Sequence, residues 1–315
     1  MDQSILKASR GILEDRFPAA RIRLVSQSHN AIYHVVQPDG QPLAARLGWL
    51  GRPLAWTQAE ALWLSHLHDY SIAVPRPLSD PESIEIEGHS AIMLLMDWIE
   101  GERLTSRWVT PVQAQEAAML LARVHRATAL FPDTHRELLT RPILDGAGLR
   151  GEGLSQYAVD AEGQRLLLPY ASLLDTVAER TAEALAVLDE SGAKQIMIHG
   201  DFRPENIVET ETGLALLDFD DCAWGYAAYD LATFLMFTRG SSQAEEVRLT
   251  LWQTYQGMTG APDIWEPVLD VLMLSRFALS LRWAVNNRGG FSGDVGQILR
   301  QRASLIELAL SGQSW

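Results

Sequence analysis

A single cysteine, Cys222, stands in a chain of 315 residues. That scarcity excludes an intramolecular disulfide and any zinc site built from several cysteines. The expected compartment is a reducing cytoplasm. No apolar run approaches the roughly 20 residues needed to cross a bilayer, so no membrane partner is expected. The opening stretch, MDQSILKASRGILEDRF, mixes charges of both signs. It lacks the apolar core of a signal peptide, and export is not expected. Basic charge is also in deficit: Lys and Arg number 26 against 40 Asp and Glu, a formal net charge of −14. General nucleic-acid binding needs a basic footprint and is disfavoured. Acidity of this size serves solubility, or steers a cationic substrate. Internal repeats and low-complexity tracts are missing, and the sequence carries no signal of oligomeric state.

What remains is ordinary globular material, 47% hydrophobic and 21% charged. The length allows two lobes with ample core. The first hundred residues read as strands. RIRLVSQ (21–27), AIYHVVQ (31–37) and PLAARL (42–47) carry β-branched and apolar residues, with a turn at Pro38-Asp39-Gly40. Residues 55–69 space Ala59, Leu62, Trp63 and Leu67 as a helix does. SIEIEGHSAIMLLMDWI reads as a hairpin turning at Glu87-Gly88-His89. After a linker near 97–102 the texture becomes helical, over 112–129, 170–190, 226–238, 243–257, 265–287 and 294–310. Short strands interrupt it near 195–198, 206–209 and 214–217. The fold class is α+β, with a sheet-rich lobe followed by a larger helical one.

Between residues 196 and 208 the chain reads IMIHGDFRPENIV, a polar cluster between two buried runs. Asp201 is suited to accept a proton or orient a hydroxyl. Asn206 offers a neutral oxygen five residues later. Asp218 follows the strand LALL. NIVE and LALL, joined by TETG, form a hairpin that carries Asn206 and Asp218 towards the same end. Such hard oxygen ligands suit Mg²⁺, which completes its shell with water and phosphate. Arg203 adds a fixed positive charge of use against phosphate. Singly, each residue reads as a turn former or helix cap. Jointly, H-G-D-x-x-x-x-N followed by strand, turn, strand and D-F-D points to a catalytic loop held by buried strands.

HGDFRPEN and LLDFDD, with GYAAYDLA beyond, resemble the aminoglycoside phosphotransferase and choline kinase family, whose fold is similar to protein kinases. The resemblance implies a bilobal fold, with a nucleotide-binding lobe over 1–97 and a catalytic and acceptor-binding lobe over 98–315. It implies ATP-dependent transfer of the γ-phosphate to a hydroxyl of a small metabolite or antibiotic-like acceptor, with ATP and Mg²⁺ bound between the lobes. By the same resemblance Asp201 is the catalytic aspartate, Asn206 and Asp218 are the metal ligands, and Asp230 holds the loop backbone. His199 braces the loop against Phe219. On the nucleotide side Arg46 pairs with Glu60. Ser28 and Asn30, in the glycine-free stretch SQSHNAIY, supply phosphate donors. The backbone of Asp97 and Ile99 meets adenine. Asp220 and Asp221 read equally as substrate or second-metal contacts and as solvated loop carboxylates.

Other features were weighed against this pattern. GAGLRG (146–151) matches a dinucleotide-binding glycine pattern but lacks the strand before it and the helix after it. Trp283, Asn286, Asn287 and Arg288 lie on a late helix and its end, where the family builds its acceptor pocket; Trp283 reads first as core. A stress-type Ser/Thr protein kinase and a nucleotide-binding pseudokinase are the competing readings. Only DCAWGYAA separates Asp220 from Tyr229 and Asp230, which leaves little chain for an activation segment. A partly acidic chamber between Asp201 and the late helices, sized for a small acceptor, is therefore expected.

Overall fold

The computed structural model describes residues 3–27, 30–48, 53–132, 134, 149, 159–290 and 294–312. In chain order the elements are α1 (Gln3–Arg16), β1 (Arg21–Gln27), β2 (Asn30–Val36), β3 (Pro42–Gly48), α2 (Leu54–Asp69), β4 (Glu82–Ile86), β5 (His89–Asp97), β6 (Glu102–Arg103) and α3 (Pro111–Thr128). They continue with α4 (Ala161–Leu167), α5 (Ala171–Glu190), β7 (Ile196–Ile198), β8 (Ile207–Thr210), β9 (Gly213–Leu216) and β10 (Ala223–Gly225). The last four are α6 (Ala227–Thr238), α7 (Ala244–Thr259), α8 (Trp265–Asn286) and α9 (Val295–Leu310). The chain divides into two compact units. One comprises Met1–Arg103, Leu130–Leu139 and Val208–Asp220; the other comprises Leu104–Ala129, Thr140–Ile207 and Asp221–Trp315.

The first unit is built on an antiparallel sheet in the order β1-β2-β3-β5-β4. Strand β2 shows why it forms: Ala31, Tyr33 and Val35 are buried at every second position, the period of a strand. They join Leu43, Ala45 and Leu47 of β3 and Met93 and Leu95 of β5 in one core, which α1 covers with Leu13 and the flanking Ile5, Leu6 and Ile12. The opposite face of β3 presents Arg46, which meets Glu60 of α2. The β4–β5 hairpin turns at Glu87 and Gly88, both at positive φ (52° and 76°). That is the two-residue turn whose twist matches its strands. Strands β6, β8 and β9 form a second small sheet.

The second unit is helical. Helix α8 is its axis, buried around most of its circumference, with α5, α6 and α9 packed against it. A helix apolar on nearly all sides belongs inside a bundle. Thr110 and Gln113 form a capping box at the start of α3, and Pro111 takes the first helical position. Such a cap stabilises a helix by about 1 kcal/mol. Strands β7 and β10 pair antiparallel, Ile198 opposite Ala223, and the segment His199–Asn206 runs from the end of β7 to the start of β8. No helix among the described residues is long and apolar enough to cross a membrane.

Candidate active site

In the second unit the segment His199–Asn206 is clamped from behind. Asp230, on the first turn of α6, is fully buried. Its Oδ2 accepts the His199 backbone N–H and its Oδ1 that of Gly200, each at 2.8 Å. Behind it, His125 Nε2 lies 3.1 Å from Asp230 Oδ2, and His125 Nδ1 lies 2.8 Å from the Tyr255 hydroxyl. A carboxylate must receive a proton, so Nε2–H donates to Asp230 and Nδ1 accepts from Tyr255. Gly200 sits at φ +79°, and a Cβ there would stand 2.2 Å from the Asp221 carbonyl oxygen. No other residue fits that backbone position without displacing the chain.

Asp201 emerges from this clamp with its carboxylate held on three sides. Its backbone N–H donates to His199 Nδ1 at 3.2 Å. Arg276 Nη2 donates to Oδ1 at 2.8 Å. Arg203 Nε lies 3.1 Å from Oδ2 in an ion pair. Asn206 Nδ2 donates both to the Asp201 carbonyl and to Oδ2, each at 3.0 Å. Both guanidiniums lie over the Phe237 ring, at 5.2 Å for Arg203 and 6.0 Å for Arg276. Burial pushes the Asp201 carboxyl above the usual carboxylate range. Arg276 and Arg203 pull it back, and Asp221 adds to the rise. The ring of His199 stands edge-on to Phe202 at 6.4 Å.

Asn206 gives the test for a metal. Its Oδ1 is buried with no hydrogen-bond partner among the described residues, while its Nδ2 is fully engaged. An orphaned amide oxygen is costly unless something electropositive meets it, and a hard divalent cation does so. Among the described residues no group of three or more His, Cys, Asp or Glu side chains could hold a metal alone. The donor set therefore fits a cation completed by water and phosphate, as Mg²⁺ is.

In the first unit Arg46 and Glu60 form a fork-to-fork pair, with Nη1–Oε1 and Nη2–Oε2 both at 2.6 Å. The residues are 5% and 2% exposed, so a solvated surface pair is excluded. Burial alone would lower the Arg46 pKa. Glu60, with Asp220 and Asp218 beyond it, outweighs that and raises it. Asn30 Nδ2 donates to Asp220 Oδ2 at 2.7 Å. Asp218 adopts φ +65°, a left-handed conformation that Asp tolerates better than most residues. Its neighbour Phe219 packs edge-on to Trp63 at 5.1 Å. Asp97 ends β5, and its backbone N–H donates to the Arg76 carbonyl at 2.9 Å. Ile99 follows the strand, two residues on. Ser28 and the GAGLRG motif, Leu149 apart, lie outside the described residues.

One sequence expectation is corrected. Trp283 is not plain core; it is 41% exposed, with the Arg302 guanidinium 5.8 Å from its ring. Arg276 of α8 meets the Asp201 carboxylate from the helical side, and Asp221 adds negative charge to the same surroundings. Arg288 is taken up by Asp160 and Glu162. Arg276 escaped the sequence reading because it lies 75 residues from Asp201. Its signal was a lone charge in the apolar run VLMLSRFALSL.

A family model described as "Phosphotransferase enzyme family" matches residues 21–268. Among solved structures, the amicoumacin kinase hAmiN, in complex with AMP-PNP, Ca²⁺ and Ami, matches with a TM-score of 0.77 at 16% identity over 97% of this chain and 96% of that one. A microcompartment-associated aminopropanol kinase matches at 0.69 and 19% identity, over 96% and 98% of the two chains. Choline kinase from Cryptosporidium parvum Iowa II matches at 0.68 and 14% identity, over 98% and 96%. At such identities the likeness establishes the fold, a mixed architecture of the protein-kinase-like type. No curated protein matches the chain by sequence. The match over residues 21–268 is more than half of the chain, and the chain belongs to the phosphotransferase enzyme family.

Proposed function

We propose that this phosphotransferase moves the γ-phosphate of ATP to a hydroxyl of a small molecule, with Asp201 facing the acceptor. The observation that carries the reading is the constraint on Asp201: a buried carboxylate fixed by Arg276, Arg203 and Asn206 on a loop that Asp230 clamps. Held this way, Asp201 accepts or orients the hydroxyl proton as the oxygen attacks phosphorus. Catalysis of this kind rests on alignment and charge stabilisation. Arg203 faces developing negative charge on the transferred group. Asn206 Oδ1 and Asp218 would hold Mg²⁺, which when bound neutralises phosphate charge. Arg46, fixed by Glu60, and the donors of Asn30 and Ser28 serve the nucleotide phosphates; the Asp97 and Ile99 backbone serves the adenine. The buried thiol of Cys222 suits a cytoplasmic enzyme.

The test is a panel of hydroxylated small molecules incubated with the enzyme, Mg²⁺ and ATP, read as ADP release and as a mass increase of one phosphoryl group. Acceptor-dependent ADP release with a phosphorylated alcohol is expected. Efficient phosphorylation of protein serines with no small alcohol turned over would contradict the reading.

A further inference from the structure

Tyr229 makes none of the contacts that hold Asp201, yet it stands among the residues that do. It lies on the first turn of α6, one residue before Asp230. The rest of that helix is fastened to the catalytic loop. Asp230 accepts the His199 and Gly200 N–H groups, and Phe234 packs on Phe202 with ring centroids 5.7 Å apart. Phe237 lies under the Arg203 and Arg276 guanidiniums. From another side the Asp221 carbonyl closes on Gly200 and leaves no room for a Cβ there. In this packing Tyr229 is only 3% exposed.

The backbone of Tyr229 is satisfied. Its N–H donates to the Tyr226 carbonyl and its carbonyl accepts from the Thr233 hydroxyl, each at 2.9 Å. Its phenol is not: the hydroxyl is buried with no hydrogen-bond partner among the described residues. A buried hydroxyl without a partner costs stability, and phenylalanine would fill the same space without that cost. The charges that act on this hydroxyl are those of the site. Burial raises the Tyr229 pKa most; Arg276 lowers it, and Asp221, Asp201 and Asp230 raise it. The net shift is upward, so the phenol stays protonated and is a donor towards any carboxylate. Of the three carboxylates, Asp230 is taken up by His199, Gly200 and His125, and Asp221 is partly exposed. Asp201 is the one whose surroundings must change in the reaction, because an acceptor hydroxyl has to enter among Arg276, Arg203 and Asn206.

We propose that Tyr229 is a positioning residue of the transfer step: as the acceptor hydroxyl takes its place on Asp201, the carboxylate turns and the Tyr229 hydroxyl donates to it. Arginine contacts hold the carboxylate in the resting enzyme, but their charge opposes its taking a proton. A neutral phenol keeps the same group aimed with less of that opposition. The hydroxyl left unpaired in the resting enzyme thus finds its partner in the loaded one. What it supplies is alignment of Asp201 and not affinity for substrate, so its loss falls on kcat. The inference rests on the phosphotransferase reading of Asp201 and adds a residue to it.

The test is Tyr229→Phe, which removes the hydroxyl and nothing else, assayed with Mg²⁺, ATP and an acceptor found in the panel. The kcat should fall at least about tenfold, the effect of one hydrogen bond to a charged group, with acceptor KM and ATP affinity within a few-fold. The urea midpoint should equal or exceed that of the wild type, because an unpaired buried group has gone. In an Asp201→Asn background the same substitution should cost nothing further, since Tyr229 acts through Asp201. A fall in kcat smaller than about tenfold would overturn the proposal. So would a lower urea midpoint, which would show the hydroxyl already bonded in the resting enzyme, and so would a full second loss on top of Asp201→Asn. A structure of the wild type with a non-hydrolysable ATP analogue, Mg²⁺ and that acceptor needs no variant to fold. Tyr229 Oη should then lie within about 3 Å of an Asp201 carboxylate oxygen, and an Oη bonded to any other group would contradict the proposal. Transfer that survives Asp201→Asn would instead sink the phosphotransferase reading of Asp201, and the role of Tyr229 with it.

Discussion

Arg276 Nη2 meets Asp201 Oδ1 at 2.8 Å across 75 residues of sequence. Burial raises the Asp201 pKa, and Arg276 is the largest influence opposing that rise. A raised carboxyl is protonated at a higher pH than an exposed one, so its base form is lost earlier as pH falls. Arg276→Gln removes the opposing charge. The acid limb of kcat/KM should therefore move to higher pH, and Arg276→Lys should restore it towards wild type. A limb that stays in place in the Gln variant would show that Asp201 does not govern it.

Asp230 accepts two buried backbone N–H groups and His125 at once. Asp230→Asn keeps the shape but replaces one acceptor oxygen with a donor, which must face a donor. Charge-assisted bonds contribute about 1.5–3 kcal/mol each. The variant should lose roughly 2–4 kcal/mol in urea unfolding, with kcat falling as the loop loosens. Stability within about 0.5 kcal/mol of wild type would refute the clamp.

Glu60 is a buried partner of Arg46. Glu60→Gln leaves a buried guanidinium without its charge partner and should cost about 3–5 kcal/mol. The double variant Arg46→Met, Glu60→Leu replaces the pair with apolar groups of similar size. It should recover most of that stability yet bind ATP poorly by calorimetry. Wild-type ATP affinity in the double variant would remove Arg46 from the nucleotide site.

Asp218→Ala should weaken Mg²⁺-ATP binding strongly, and Asn206→Ala less so, because one ligand is anionic and the other neutral. Titrations of Mg²⁺ at fixed ATP measure both. Two variants with wild-type Mg²⁺ dependence would place the metal elsewhere.

Much of this was legible in the sequence, for identifiable reasons. The alternation of β2, the 3.6-residue spacing of α3 and the long apolar run of α8 are local signals, and these elements appear within a residue or two of their expected ends. The loop residues Asp201 and Asn206 are close in sequence, so their joint spacing carried their chemistry. Helix α1 was read only as a charged stretch, although Ile5, Leu6, Ile12 and Leu13 recur at helical spacing and pack on the sheet core. Strand β10 is three residues of Ala-Trp-Gly and exists through its pairing with β7, a long-range fact. Arg276, His125 and Tyr255 reach the site from separate helices, and no spacing in the chain connects them to Asp201 or Asp230.

The most direct measurement is single-turnover transfer from ATP to an acceptor found in the panel, comparing wild type with Asp201→Asn. The substitution preserves the size of the side chain and removes its capacity to take a proton. A positioned base contributes about 10²–10⁴-fold, so transfer should fall at least that far while ATP affinity stays within a few-fold. An Asp201→Asn enzyme that keeps more than about a tenth of the wild-type transfer rate would contradict the account.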